Sequence, residues 1–166
     1  MTDTDLVLAG QYICFDLGRR KVGVAAGDSQ TGLARELCTL RFKPRIDTTQ
    51  GKAAVTDQQI QIAIVALVAE QSAKIKVAGL VFGLPLGRQQ QTNQQARWVS
   101  ELATRVAVEV SLPYHFVNER LSSWAAREEL AQQGYRTTQI DQLEDQYVAK
   151  CLLLEFFADQ RQQTCP

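Results

Sequence analysis

A chain of 166 residues with 45% apolar content can bury roughly 70% of its unfolded surface around one core, so a single domain over 1–166 is expected. Eighteen basic residues balance eighteen acidic ones and charged residues make up 22% of the chain, which argues against a disordered polypeptide and removes a strongly basic footprint for nucleic acid. No apolar run reaches the roughly 20 residues of a membrane span, and positions 1–10 lack the basic-then-apolar order of a secretory signal, so no membrane contact and a cytoplasmic location are expected.

The run Tyr12 to Phe15 ends at Asp16, and after Leu17-Gly18-Arg19-Arg20 a second β-favouring run, Lys21 to Ala26, follows, which predicts a hairpin. Turn formers at 27–32 separate it from Leu33 to Phe42, a third strand of the same meander. Residues 43–56 read as a loop. Thr56 or Asp57 then offers an N-cap, and Ile60, Ala63, Ile64, Leu67 and Val68 recur at helical spacing to about Ser72. The short, nearly continuous apolar run from Val77 to Gly83 predicts a strand covered on both faces.

A Gln-rich loop over 89–95 leads into a helix with Trp98, Val99, Leu102, Ala103 and Val106 on one stripe, and Pro113 to Val117 forms the next strand. Ser122 or Ser123 caps a helix to about Gln133, which Gly134 ends. Ile140, Leu143, Tyr147, Cys151 and Leu154 mark a final helix. The order βββ-α-β-α-β-α-α implies an α/β fold with one mixed five-stranded sheet, an antiparallel meander continued by parallel strands, and helices against its faces.

Ligands of open α/β sheets bind where strand carboxyl ends and their loops converge. Asp16 closes the first strand and Glu119 follows the last, so the two become neighbours if those strands are close in the sheet. On the final helix Asp145 or, one turn earlier, Asp141 could face the same point. Carboxylates gathered in this way repel one another unless a cation lies among them, and Mg²⁺ suits oxygen ligands. Two such ions roughly 3.5–4 Å apart serve phosphodiester hydrolysis without any histidine. Strand-end and helix-face acids are equally what a solvated surface carries.

Gly18 allows close backbone approach to a phosphate or is needed by a hairpin turn, and Arg19, Arg20 and Lys21 add positive charge beside it. Residues 17–52 carry eight basic and three acidic groups, whereas 119–159 carry eight acids and four bases, a separation that suits a phosphate track beside a metal pocket. Arg120 either holds a phosphate or neutralises Glu119. His115, the only histidine, alternates with apolar neighbours and reads as a strand residue rather than a base. Trp98 and Trp124 read as core or interface rather than stacking platforms. Cys14, Cys38, Cys151 and Cys165 have no metal-ligand spacing and read as reduced, mostly buried thiols.

Ile13-Cys14-Phe15-Asp16-Leu17-Gly18 through Val22-Gly23-Val24-Ala25, Thr31-Gly32-Leu33-Ala34, Gly83-Leu84-Pro85-Leu86, Asn118-Glu119-Arg120-Leu121-Ser122-Ser123, and Asp145 followed by Ala149 occur in this order. Across about 12–158 the chain thereby resembles the bacterial YqgF family, also called RuvX or Holliday-junction-resolvase-like. The resemblance implies a ribonuclease H-like fold and a nuclease for the 5′ end of pre-16S ribosomal RNA, hence a role in ribosome biogenesis. It implies Asp16, Glu119 and Asp145 as catalytic and metal-binding acids, with Asp141 the substitute if the register of the late helix slips. Mg²⁺ or Mn²⁺, two ions, is the implied cofactor, and Gly18, Arg19, Lys21 and Arg120 the implied substrate contacts. Asn118 departs from the Asp usual in the family, and Gly87-Arg88-Gln89 lacks the usual Asn and Asp-Gly character of that loop.

The expected partner is structured RNA, pre-ribosomal RNA or the ribosome. The alternative is branched DNA, for which a homodimer would supply two symmetric cuts. A non-catalytic nucleic-acid-binding module of ribosome assembly is the rival outside enzymes. Asp-x-Gly loops also hold phosphates in actin-like ATPases and sugar kinases, but those require a second such domain.

Overall fold

The computed structural model describes residues 8–46, 53–85, 94–118 and 123–163. Strands β1 (Gln11–Leu17), β2 (Lys21–Asp28) and β3 (Leu33–Arg41) form the meander. Helix α1 (Asp57–Ser72), strand β6 (Val77–Leu84), helix α2 (Gln94–Val110), strand β7 (Tyr114–Asn118) and helices α3 (Ser123–Gln132) and α4 (Thr137–Gln163) follow. The five-stranded sheet has the order β3-β2-β1-β6-β7. β1, β2 and β3 pair antiparallel, while β6 runs parallel to β1, and β7 parallel to β6. The mixed sheet expected from the strand meander and the later alternation is therefore present. The region read as a loop over 43–56 also holds a two-residue ribbon, β4 (Arg45–Ile46) with β5 (Ala53–Ala54). Strands this short carry no periodic signal.

Alternation along β1 divides its side chains between two cores. Tyr12 and Cys14 enter a cluster with Ala25, Tyr147, Val148, Leu152 and Phe156, which is the α3–α4 side. Ile13, Phe15 and Leu17 enter the other with Ile64, Val68, Leu102 and Val106, the α1–α2 side. β1, central in the sheet, is thus buried on both faces, as is β6.

Local chemistry explains the helix ends. Thr56 Oγ1 accepts from the Gln59 backbone N at 3.2 Å and Gln59 Oε1 accepts from the Thr56 N at 2.9 Å, a capping box that starts α1. Gly134, at φ +89°, follows α3 in the left-handed conformation that L side chains rarely adopt. Parallel β1, β6 and β7 all end on one side of the sheet, and the β1–β2 turn lies on that side. The strand order therefore gathers Asp16, the end of β7 and the start of α3 at a common end.

Candidate metal centre

Asp16 is half-buried near the end of β1 and pairs in register with Gly23 of β2. Directly opposed residues of an antiparallel pair point to the same face. Cys14, two residues earlier, faces α4, so Asp16 does too. The Cys14 thiol is pushed well up in pKa by burial and further by the negative charge of Asp16.

The late helix reaches this point through a glycine. A Cβ at Gly23 would overlap the backbone carbonyl of Asp145, with the Gln146 N only 3.0 Å away. Helix α4 therefore crosses β2 against bare backbone at the residue that pairs with Asp16. Glycine inside a strand marks such close approaches, and Val22-Gly23-Val24 was the available sign in the sequence. Asp16 and Asp145 thereby share one face of the sheet with Gly23 between them.

Asp145 and Asp141 have different surroundings. The Asp145 side chain is only 17% exposed, and its Oδ2 is closed to solvent with no hydrogen-bond partner among the described residues. Lys21 Nζ lies 3.4 Å from that oxygen. Asp141 is 58% exposed, and its Oδ1 meets Arg127 of α3 at 2.8 Å. Glu144, on the same turn, accepts from Arg127 Nη1 at 2.6 Å. Bonds to Glu144 first, then Asp141, push the Arg127 pKa up. Arg127 was not singled out by sequence reasoning, because a helix-face arginine has no distinctive spacing.

Glu119 and Arg120 lie outside the described residues, as do most of the Gln-rich loop and Cys165. Asn118 ends β7 opposite Leu84 of β6. Among the described residues, no group of three metal-ligating side chains is assembled. The donor set of Asp16 and Asp145 nevertheless suits a hard divalent cation: both donors are carboxylates, and Asp145 brings a shielded oxygen with no hydrogen-bond partner among the described residues.

The hairpin residues have divided tasks. The Gly18 N donates to Lys21 O at 2.9 Å, and a Cβ at Gly18 would stand 2.7 Å from that same oxygen. The tight turn thus accounts for this glycine. Arg19 turns toward the α1–α2 side, its guanidinium carbon 4.5 Å from the centroid of the Trp98 ring and its Nη1 3.5 Å from Asp57 Oδ1. Trp98 is buried and donates from Nε1 to Asp57 Oδ1 at 2.8 Å. Lys21 pairs with Arg41 of β3 in register, and the Phe42 N donates to Arg20 O at 2.9 Å. The hairpin tip and the end of β3 thus bring Arg20, Lys21, Arg41 and Lys43 together at the end of the sheet where β1 stops. Arg41 Nη2 donates to the Asp141 carbonyl at 3.1 Å, while Arg20 and Lys43 pair with no carboxylate among the described residues.

His115 is buried, its ring 5.0 Å from Phe156 and 6.0 Å from Tyr12, as a strand histidine should be. Trp124 departs from the core reading: it is 71% exposed in the first turn of α3. Cys14 is buried and Cys38 and Cys151 are half-buried, all three free thiols. No described helix is long and apolar enough to cross a membrane.

Comparison with known proteins agrees with this architecture. The family model RuvX, described as Holliday junction resolvase, matches residues 10–159. A protein of Thermosynechococcus vestitus named "Putative pre-16S rRNA nuclease" is 31% identical over 150 residues, covering 90% of this chain and 87% of its own. One of the same name from Pseudomonas putida is 32% identical over 155 residues, covering 92% and 94%. Among solved structures, Thermus thermophilus RuvC superposes with a TM-score of 0.50 at 12% identity, over 92% of this chain and 96% of that one, a likeness of fold.

Proposed function

The chain belongs to the RuvX family of Holliday-junction-resolvase-like nucleases, with a ribonuclease H-like fold, and from that premise we propose that it is a divalent-metal-dependent phosphodiesterase acting on the 5′ end of pre-16S ribosomal RNA in the cytoplasm. The observation that carries the metal reading is the convergence of Asp16 and Asp145 across Gly23 on one face of the sheet, at the end where the parallel strands stop. The RNA target is supported by the names of relatives such as those from T. vestitus and P. putida.

In this reading Asp16 and Asp145 hold the cation pair, Mg²⁺ or Mn²⁺, and Glu119 completes the carboxylate set. Bound divalent ions supply an activated water and charge stabilisation for the leaving oxygen. The chain's own contribution is to hold the phosphate backbone against that centre. Arg20, Arg41 and Lys43 stand on the β2–β3 flank, and Arg120 directly follows Glu119 in the sequence. Asp145 is favoured over Asp141 as the helix ligand, because Arg127 already engages Asp141.

Incubation of the protein and its Asp16→Asn variant with structured RNA and branched DNA, in Mg²⁺ and Mn²⁺, tests the proposal. Cleavage of a pre-16S leader by the unmodified protein alone supports it. Binding of both nucleic acids without cleavage by either protein would sink it in favour of a binding module. The family description, Holliday junction resolvase, favours a second reading as a junction endonuclease, which preferential cutting of branched DNA would establish.

A further inference from the structure

Lys21 occupies a position that the metal reading leaves unexplained. It opens β2 and shares a face with Gly23 and Ala25, the face on which α4 lies. Its ammonium is 3.4 Å from Asp145 Oδ2, the oxygen shielded from solvent and without a hydrogen-bond partner among the described residues. A carboxylate oxygen removed from water needs a positive charge or a donor nearby. Lys21 supplies the charge, but loosely.

Among the described ion pairs made to α4, this one is the loosest. Two others close tightly: Lys150 Nζ of α4 meets Glu36 Oε1 at 2.6 Å, and Arg127 Nη1 meets Glu144 Oε2 of α4 at 2.6 Å. Lys21 stands off Asp145 by 3.4 Å without hydrogen-bond geometry, and its side chain remains 42% exposed on a flexible four-carbon stem. A pair of this kind contributes little and separates easily. Its geometry suits a cation that must be displaced.

We propose that Lys21 is the resident counter-ion of the Asp16–Asp145 pair. It neutralises Asp145 while no divalent cation is bound, competes with that cation for the same oxygen, and swings toward solvent when the cation enters. The inference rests on the metal-centre reading and adds a positioning residue to it. Two effects of opposite sign follow for Lys21→Gln. The metal-free protein loses a compensating charge and melts lower, whereas Mn²⁺ meets one competitor fewer and binds more tightly.

Calorimetric titration with MnCl₂, after stripping with EDTA, and melting curves with and without Mn²⁺ test this on the full chain. Lys21→Gln is expected to bind Mn²⁺ about three- to fivefold more tightly, the order expected when an exposed pair's competition is removed. Its melting temperature should fall by a few degrees without metal and recover with it. Lys21→Arg keeps the charge and should match or fall below the unmodified protein in Mn²⁺ affinity, and it serves as a second comparison should the Gln variant fold poorly. Unchanged or weaker Mn²⁺ binding by Lys21→Gln overturns the proposal while leaving the metal centre intact. Absence of Mn²⁺ binding by the unmodified protein, with no difference in Asp145→Asn, overturns the metal reading and this proposal together.

Discussion

Gly23→Ala tests the geometry that brings Asp16 and Asp145 together. The added methyl would overlap the Asp145 carbonyl by more than about 1 Å relative to ordinary contact, and the obstruction is backbone rather than the end of a flexible side chain. Relief requires α4 to lift from β2 by a similar distance. Overpacking in a dense interior costs about 1–3 kcal/mol, and a rigid neighbour places this variant near the upper end. For a chain of this size that corresponds to a fall of about 6–12 °C in melting temperature. Displacement of Asp145 by about 1 Å from Asp16 should also reduce cleavage about a hundredfold. Gly134→Ala is the control: nothing lies within 4 Å of its Cβ, so only the φ of +89° opposes the methyl. It should cost about 1–2 kcal/mol without altering cleavage in the folded fraction. Thermal melts and single-turnover cleavage read both variants. A Gly23→Ala protein as stable and as active as the unmodified one would refute the close crossing of α4 over β2.

Asp16→Asn is expected to abolish cleavage while retaining nucleic-acid binding, checked by gel cleavage and by fluorescence anisotropy. The double variant Arg20→Gln/Lys43→Gln should weaken binding of all sequences alike and reduce the slope of log affinity against log salt by about 0.7–0.9 per lost phosphate contact, read from a salt titration. Lys21→Gln should tighten Mn²⁺ binding as described above. Tyr147 donates from its hydroxyl to Glu129 Oε2 at 2.9 Å, and burial first, then this bond, pushes its pKa from 10.0 up to about 12. The folded state thus holds the proton more tightly than the unfolded one. This contribution is complete below pH 10 and is lost as the pH rises toward 12. Tyr147→Phe should remove that alkaline decline and cost about 1 kcal/mol at neutral pH, measured by urea unfolding at pH 7, 9 and 11.

Much of the fold was legible because its signals are local. The capping residue Thr56, the helical stripe from Ile60 to Val68 and the apolar run Val77 to Gly83 each act within a few residues, and the structure places elements where they predict. The β4–β5 ribbon was not legible, since two-residue strands have neither period nor composition to reveal them. The exposure of Trp124 was equally hidden, because one turn of α3 fits either a buried or an exposed ring.

The candidate site divides in the same way. Sequence alone determined the order of the longer elements, the place of Asp16 near a strand end, the basic hairpin beside it and the likeness to the RuvX family. It left Asp141 and Asp145 as alternatives, since residues four apart on a helix share a stripe. Only the tertiary structure gives them different surroundings, seating Asp145 on the bare backbone of Gly23 and tying Asp141 to Arg127. It also turned Arg19 toward Trp98 and Lys21 toward Asp145, although both belong to one hairpin. The physical reason is that propensity and periodicity describe a segment against its own neighbours, whereas the depth and register at which a helix packs on a sheet depend on which distant residues lack a side chain at the crossing.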